Sequence, residues 1–287
     1  MIAICNTIIV CGFRKLSTGI FLVLSFCFIR PTPGNGQVNL SGKPGLLYVP
    51  TADSTPEGHL TFGAVYNPKG YALSRLDRNA EAIMFANLTI LPRLDINISV
   101  LKAINNAEHP VIKDLGDRQL DIKYLLLKEK EKRPSLAIIL SSPFTVDAAM
   151  LTHVLVATKN FALDARWKIQ ATAGVGSPYF VYRNASVTNN ASVFSSFKWQ
   201  RKSEYFHNNG YLVGVFGGAK LDFQDKAGLM VEFDSRRLNA GGYVKLFERW
   251  VVQGGLINLD QFTFGTAYSF ALAKPSRRLK KIYEENR

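Results

Sequence analysis

No cysteine follows position 27: the three in the chain are Cys5, Cys11 and Cys27, all inside a segment that reads as an export leader. A mature chain without cysteine has no disulfide staple, no thiolate zinc site and no cysteine nucleophile, so its stability must come from hydrogen bonding and packing. Histidine is nearly as sparse, and His59, His109, His153 and His207 include no close pair to hold a metal. No glycine loop stands between a strand and a helix to cradle phosphate. Gly214, Gly217 and Gly218 fall within a strand pattern, where glycine marks a bulge or a tightly packed wall. Serine and aspartate are plentiful but none is singled out, so a Ser-His hydrolase of lipid or glycan stays an open alternative. The expectation is no catalytic residue, no cofactor and no metal.

Long apolar runs are missing beyond the N-terminus. There, Arg14 and Lys15 precede the apolar stretch Leu16 to Ile29, and small residues and turn formers follow from Pro31 to Gly36. This is the charged, apolar, small-residue order of a secretory signal. The stretch falls short of the roughly 20 residues that a transmembrane helix needs. Cleavage after Gly36 is expected, leaving Gln37 first, with an uncleaved anchor as the alternative. Lipidation at Cys27 is disfavoured by bulky Phe26, where such signals carry a small residue.

What is present is alternation. Arg93 to Val100 switches between polar and apolar residues at every position, the period-two pattern of a strand with unlike faces. The pattern returns in Gln119 to Tyr124, Leu163 to Ala171, Gly228 to Asp234 and Gln261 to Phe270. Further strands are expected at His59 to Tyr66, Glu81 to Ile90, Ser135 to Ser141, Thr152 to Thr158, Val193 to Gln200, Tyr211 to Ala219, Ala240 to Phe247 and Trp250 to Leu256. Leu91 to Arg93, Asn160 and Asp234 to Asn239 read as breaks, and longer polar connections at Asn67 to Asn79, Asn105 to Gly116 and Tyr182 to Asn190 alternate with them. One all-β domain results, an antiparallel transmembrane barrel of about 10–14 strands, since single-chain bacterial barrels take even numbers. Its expected layout is a signal peptide over 1–36, the barrel over 37–272 and a basic tail over 273–287.

Alternation alone also fits a soluble sandwich with its charges outside. Against that stand the export signal, the number of strands, and aromatics placed as interfacial girdles: Tyr66, Tyr124, Trp167, Trp199, Trp250, Phe262 and Tyr268. The charges on the polar faces, Asp95, Asp121, Lys123, Asp164, Arg166, Lys168, Glu232 and Asp234, are then the candidate lumen-facing residues.

The formal charge of +13 calls for an anionic partner. Basic residues are spread through the chain except in Lys274 to Lys281, a cluster that reads as a solvated tail or as a periplasmic contact with anionic headgroups or an acidic polymer. Nucleic acid is not expected for an exported chain without a concentrated basic patch in its strands.

The run Gly45-Leu-Leu-Tyr-Val-Pro-Thr-Ala52, followed by Glu57-Gly-His-Leu60, resembles the opening of YjbH-family proteins. Gly228 to Ser235, followed by Asn239-Ala-Gly-Gly-Tyr243, is similar to that family's late hairpin. The resemblance implies a non-enzymatic outer-membrane barrel linked to production or export of an extracellular polysaccharide, and it brings no catalytic residue. The implied partners are outer-membrane lipid, an anionic polysaccharide and envelope secretion proteins. The chain is short enough for only one barrel, whereas longer family members carry more. A structural or adaptor barrel is the alternative.

Overall fold

The computed structural model describes residues 37–73, 79–105, 116–144, 149–183, 197–202 and 211–272. The expected signal with its cysteines, the basic tail, His109 and His207 lie outside them. Among the described residues fourteen strands form: β1 (His59–Asn67), β2 (Glu81–Leu91), β3 (Leu94–Ala103), β4 (Asp117–Leu127), β5 (Ser135–Ser141), β6 (His153–Ala162), β7 (Trp167–Gly176), β8 (Tyr179–Arg183), β9 (Phe197–Arg201), β10 (Gly214–Phe223), β11 (Ala227–Phe233), β12 (Leu238–Leu246), β13 (Trp250–Ile257) and β14 (Gln261–Ala271). Twelve of them close into an antiparallel barrel, each paired with its neighbours and β1 sealed against β14 from His59↔Ala271 to Tyr66↔Phe264. The remaining two, β8 and β9, pair only with each other.

Alternation decides which way each strand faces. In β3, Asp95, Asn97 and Ser99 are at most 2% exposed, whereas Ile98 between them is 53% exposed. A soluble sandwich would bury the isoleucine and solvate the aspartate. Here the order is inverted around the barrel: Met84, Leu155, Val215, Leu229 and Val252 all point outward, as a lipid-facing belt requires. Aromatic pairs mark its edges, with Tyr66 stacked on Phe264 at 5.0 Å towards one rim and Trp167 against Phe223 at 4.8 Å towards the other.

The two rims differ. One is made of tight connections: Pro92–Arg93, 128–134, 163–166, 224–226 and 247–249. Arg93, Gln224, Asp225, Phe247 and Glu248 take positive φ there, the left-handed geometry whose twist matches that of the flanking strands. The other rim carries the longer connections 68–80, 104–116, 142–152 and 177–213, the last containing β8 and β9, besides two short turns. Barrels of this class place short turns on the periplasmic side and long loops outside.

Several expectations are corrected. Leu163 to Ala171 is not one strand: Asp164 Oδ1 accepts the backbone N–H groups of Arg166 at 2.6 Å and Trp167 at 2.7 Å, folding an aspartate turn that delays β7 until Trp167. Asp164 and Arg166 are therefore exposed turn residues, not strand residues facing the lumen. Asp234 repeats the device beyond β11, accepting from Arg236 and Arg237. Asn160, expected to break the chain, lies inside β6. Val193 to Gln200 contributes β9 outside the barrel, with residues 193–196 outside the described set, so Trp199, 75% exposed, belongs to no barrel girdle.

Candidate functional site

The lumen is not empty. Residues 37–55 fold into it as a compact plug, and Pro56 to Gly58 tie it to β1 at the short-turn rim. The sequence explains the compactness. Asn39 organises a turn, its Oδ1 accepting from the Ser41 N–H, the Ser41 hydroxyl and the Lys43 N–H while its Nδ2 donates to the Tyr48 carbonyl. Backbone bonds from Leu40 to Leu47, Leu46 to Val49 and Thr51 to Pro44 close the rest, with donors named first. Gly42, at φ 88°, lies against the Phe85 ring, where no side chain would fit.

The barrel wall receives this plug with matched chemistry. Glu232 of β11 is the principal anchor: its carboxylate accepts three successive backbone N–H groups, Leu47 at 3.0 Å, Tyr48 at 2.7 Å and Val49 at 3.1 Å, and a fourth bond from Asn239 at 2.9 Å. Four donors around one buried carboxylate make good part of its loss of water. On the opposite wall Lys43 Nζ meets Asp121 Oδ2 of β4 at 2.5 Å, both side chains 1% exposed. Asp121 also accepts from Ser141 and Gln119, and Lys43 donates to Ser41. Such a pair survives burial only when its remaining bonding capacity is met, as it is here.

Further contacts spread around the ring of strands. Lys123 of β4 lies 3.7 Å from Asp95 of β3 and donates to the Asp53 carbonyl. Asp95 accepts from Thr89 at 2.8 Å and from Ser54 at 3.2 Å. The Ala52 N–H donates to Thr158 of β6, and Asn97 donates to the Ser41 carbonyl. Tyr48 donates to Asn67 of β1 at 2.5 Å, while Tyr211 donates to the Tyr48 carbonyl. Burial holds both phenols well above their ordinary range, although Arg237 pulls Tyr48 partly back. The apolar half of the plug presses on glycines: a Cβ at Gly218 would meet Leu46 at 2.5 Å, and one at Gly255 would meet Leu47 at 2.7 Å. Glycine in these strands thus hollows the wall for two leucines.

Of the eight charges proposed for the lumen, Asp95, Asp121, Lys123 and Glu232 come together as the plug's seat. Lys168 sits at the short-turn rim, paired at 3.0 Å with Asp225. Asp164 and Arg166 occupy the turn before it, and Asp234 closes the turn at the opposite rim, bonded to Asn239. Sequence reasoning missed the plug itself. Its signal was a stretch before the first strand with glycine, proline and no alternation, yet with Val38, Leu40, Leu46, Leu47, Tyr48 and Val49, too apolar for a solvated leader.

Between the plug and the short-turn rim remains a polar cavity of about 400 Å³. Pro44, Gly45 and Thr51 of the plug line it on one side, and Gln170, Lys220 and Tyr243 on the other. The Tyr243 hydroxyl donates to Asp222 at 2.6 Å, and Lys220 lies 3.3 Å from Asp222 and 5.5 Å from the Tyr243 ring centre. Among the described residues no group of histidine, cysteine, aspartate and glutamate is arranged to hold a metal ion.

An apolar belt, a closed ring of twelve strands and a polar interior filled by the chain's own N-terminal segment define a plugged transmembrane β-barrel. The particular lineage follows from comparison with known proteins. The chain belongs to the YjbH family, described as exopolysaccharide biosynthesis proteins, whose model matches residues 37–270. No curated protein matches it. Among solved structures, an outer membrane channel from Pseudomonas putida F1 is similar at 13% identity and a TM-score of 0.31, over 76% of this chain and 97% of that one.

Proposed function

We propose that this chain is a non-enzymatic outer-membrane barrel that supports export or assembly of an extracellular polysaccharide and rests in a closed state. The observation that carries the reading is the filled lumen of a chain in an exopolysaccharide-biosynthesis family. The plug is held chiefly by polar contacts to Glu232, Asp121, Lys123 and Asp95, which a hydroxyl-rich or charged polymer can replace bond for bond. With the plug displaced, those four residues would face the path, and Lys168 would stand at its short-turn mouth. Deleting the gene is expected to lower the amount of extracellular polysaccharide or change its composition; an unchanged polymer in both respects overturns the role. Outer-membrane residence is tested separately by fractionation and by altered gel migration before and after boiling.

A second reading keeps the plug seated and makes the barrel an adaptor for envelope proteins. It is favoured by the β8–β9 hairpin, which packs Phe180 on Leu151 and presents Trp199 to the surroundings. Stable protein partners recovered by pull-down, together with a barrel that never conducts, would favour it over export.

A further inference from the structure

On β2 to β6 the lipid-facing wall is built of large side chains, one from each strand being Met84, Ile98, Ile122, Leu140 and Leu155. Across β11 to β14 that wall is hollowed. Gly242 of β12 and Gly254 of β13 stand side by side at outward positions, flanked by Leu229 of β11 and Phe264 of β14, both more than half exposed. A groove of about 750 Å³ results, walled also by Trp167, Phe223 and Phe262. Its size falls within the roughly 300–1,000 Å³ of small-molecule sites.

The wall itself tolerates a side chain at both glycines. Neither takes a left-handed backbone, and a Cβ would find no atom nearer than 3.0 Å at Gly242 or 3.3 Å at Gly254, so small shifts of the neighbours admit one. Gly241 and Gly255, which face inward, are different: a Cβ at either would lie within 2.7 Å of wall backbone and press on Leu47 of the plug. The outward pair therefore serves the groove and not the closure of the barrel.

Within a bilayer an apolar hollow has no water to fill it, and its lining forgoes contacts until acyl carbon occupies it. One end of the groove lies at the short-turn rim, where Trp167 and Phe223 pair at 4.8 Å. Next to them stand two exposed cations, Arg166 and Lys226, in adjoining turns tied together by the Gln224 N–H donating to the Arg166 carbonyl. Among the described residues no carboxylate pairs with either: Asp225 is taken by Lys168, and Asp164 Oδ1 by the amides of its own turn. An apolar groove capped at the membrane surface by unpaired cations has the order of a lipid with an anionic headgroup.

We propose that the groove seats one acyl chain of an anionic glycerophospholipid from the short-turn leaflet, with its phosphate held by Arg166 and Lys226. The site rests on membrane residence and is independent of the export role.

The test uses the full chain with Trp199→Phe and Trp250→Phe, which leaves Trp167 as the sole tryptophan. The protein is inserted into phosphatidylcholine vesicles carrying a small fraction of phosphatidylglycerol or phosphatidylethanolamine brominated on the acyl chains, and quenching of Trp167 is read. Phosphatidylglycerol is expected to quench with an apparent affinity about tenfold higher, the order that two cations near a membrane surface supply. Gly254→Leu should abolish the saturable quenching, and Gly242→Leu replaces it if the heat-dependent gel shift is lost. Arg166→Gln with Lys226→Gln should remove the preference and keep the acyl contact. Quenching that rises in proportion to added lipid without preference, or that persists in the folded leucine variant, reduces the groove to ordinary boundary lipid and overturns the site while membrane residence stands. A preference that survives the charge substitutions overturns the headgroup contact. A dimer in detergent that Gly254→Leu dissociates, with no quenching in vesicles, assigns the groove to a second copy of the chain and overturns the lipid. Absence of the gel shift in the parent protein would sink membrane residence, and the site with it.

Discussion

Glu232 holds three consecutive amide donors in a concavity of the kind that main-chain N–H groups form around anions, except that here the anion is supplied by the wall and the donors by the guest. Glu232→Gln keeps the shape but turns an –NH₂ towards donors that need an acceptor. The expected cost is about 1.5–3 kcal/mol, the value of a hydrogen bond to a charged group, or one to two orders of magnitude in opening. Hydrogen exchange at the Leu47, Tyr48 and Val49 amides should accelerate accordingly while the strand amides stay protected. Unchanged exchange at those three positions would remove Glu232 as the anchor.

At the scale of elements, the β8–β9 hairpin is docked by Lys202, whose ammonium donates to the Leu151 carbonyl at 2.8 Å while the side chain is 2% exposed. Burial pushes its pKa down to about 8, with Asp121 partly opposing. Because the folded value lies below the unfolded one, the penalty for burying the charge is full below pH 8. It is relieved as pH rises from about 8 towards the ordinary lysine value of 10.5. Docking of the hairpin is therefore expected to tighten across that window, read as slower exchange after correction for intrinsic rates, and Lys202→Met should flatten the dependence. A hairpin that loosens over the same range would contradict it.

Strands were the legible part. β3, β4, β11 and β14 all overlap alternating runs read from the sequence, because a wall with one polar and one apolar face writes its geometry into every second residue. Turns were less legible. Phe247–Glu248 and Gln224–Asp225 adopt positive φ without the Asn-Gly or Asp-Gly pairs that announce such hairpins, and Asp164 looked like another polar strand position while acting as a turn acceptor. Half of the proposed site residues line the plug's seat, because a polar strand face predicts direction. Their partners were hidden: the Leu47–Glu232 contact joins positions 185 apart, and no local pattern carries such a pairing.

For the whole molecule, the filled lumen sets the expected conductance. Reconstituted into planar bilayers, the intact barrel is expected to conduct little, and removal of residues 37–55 is expected to produce discrete steps. A large steady conductance from the intact protein would contradict the closed resting state. At the other end, deletion of Pro275 to Arg287 should leave membrane insertion intact, measured by fractionation and heat-dependent migration, since β14 already completes the ring at Ala271. Failure to insert would make the tail part of the fold.

The seam between β1 and β14 also dictates an order of events. The plug precedes β1 in the chain, yet its chief anchor lies on β11 and the ring closes only when β14 arrives. Pairings this distant form late and slowly. The plug, although it precedes every strand of the ring, thus finds its chief anchor only when a late strand is in place. Sealing and completion become the same step, so a half-built ring, lacking β11 to β14, has neither a lid nor a lumen to leak through.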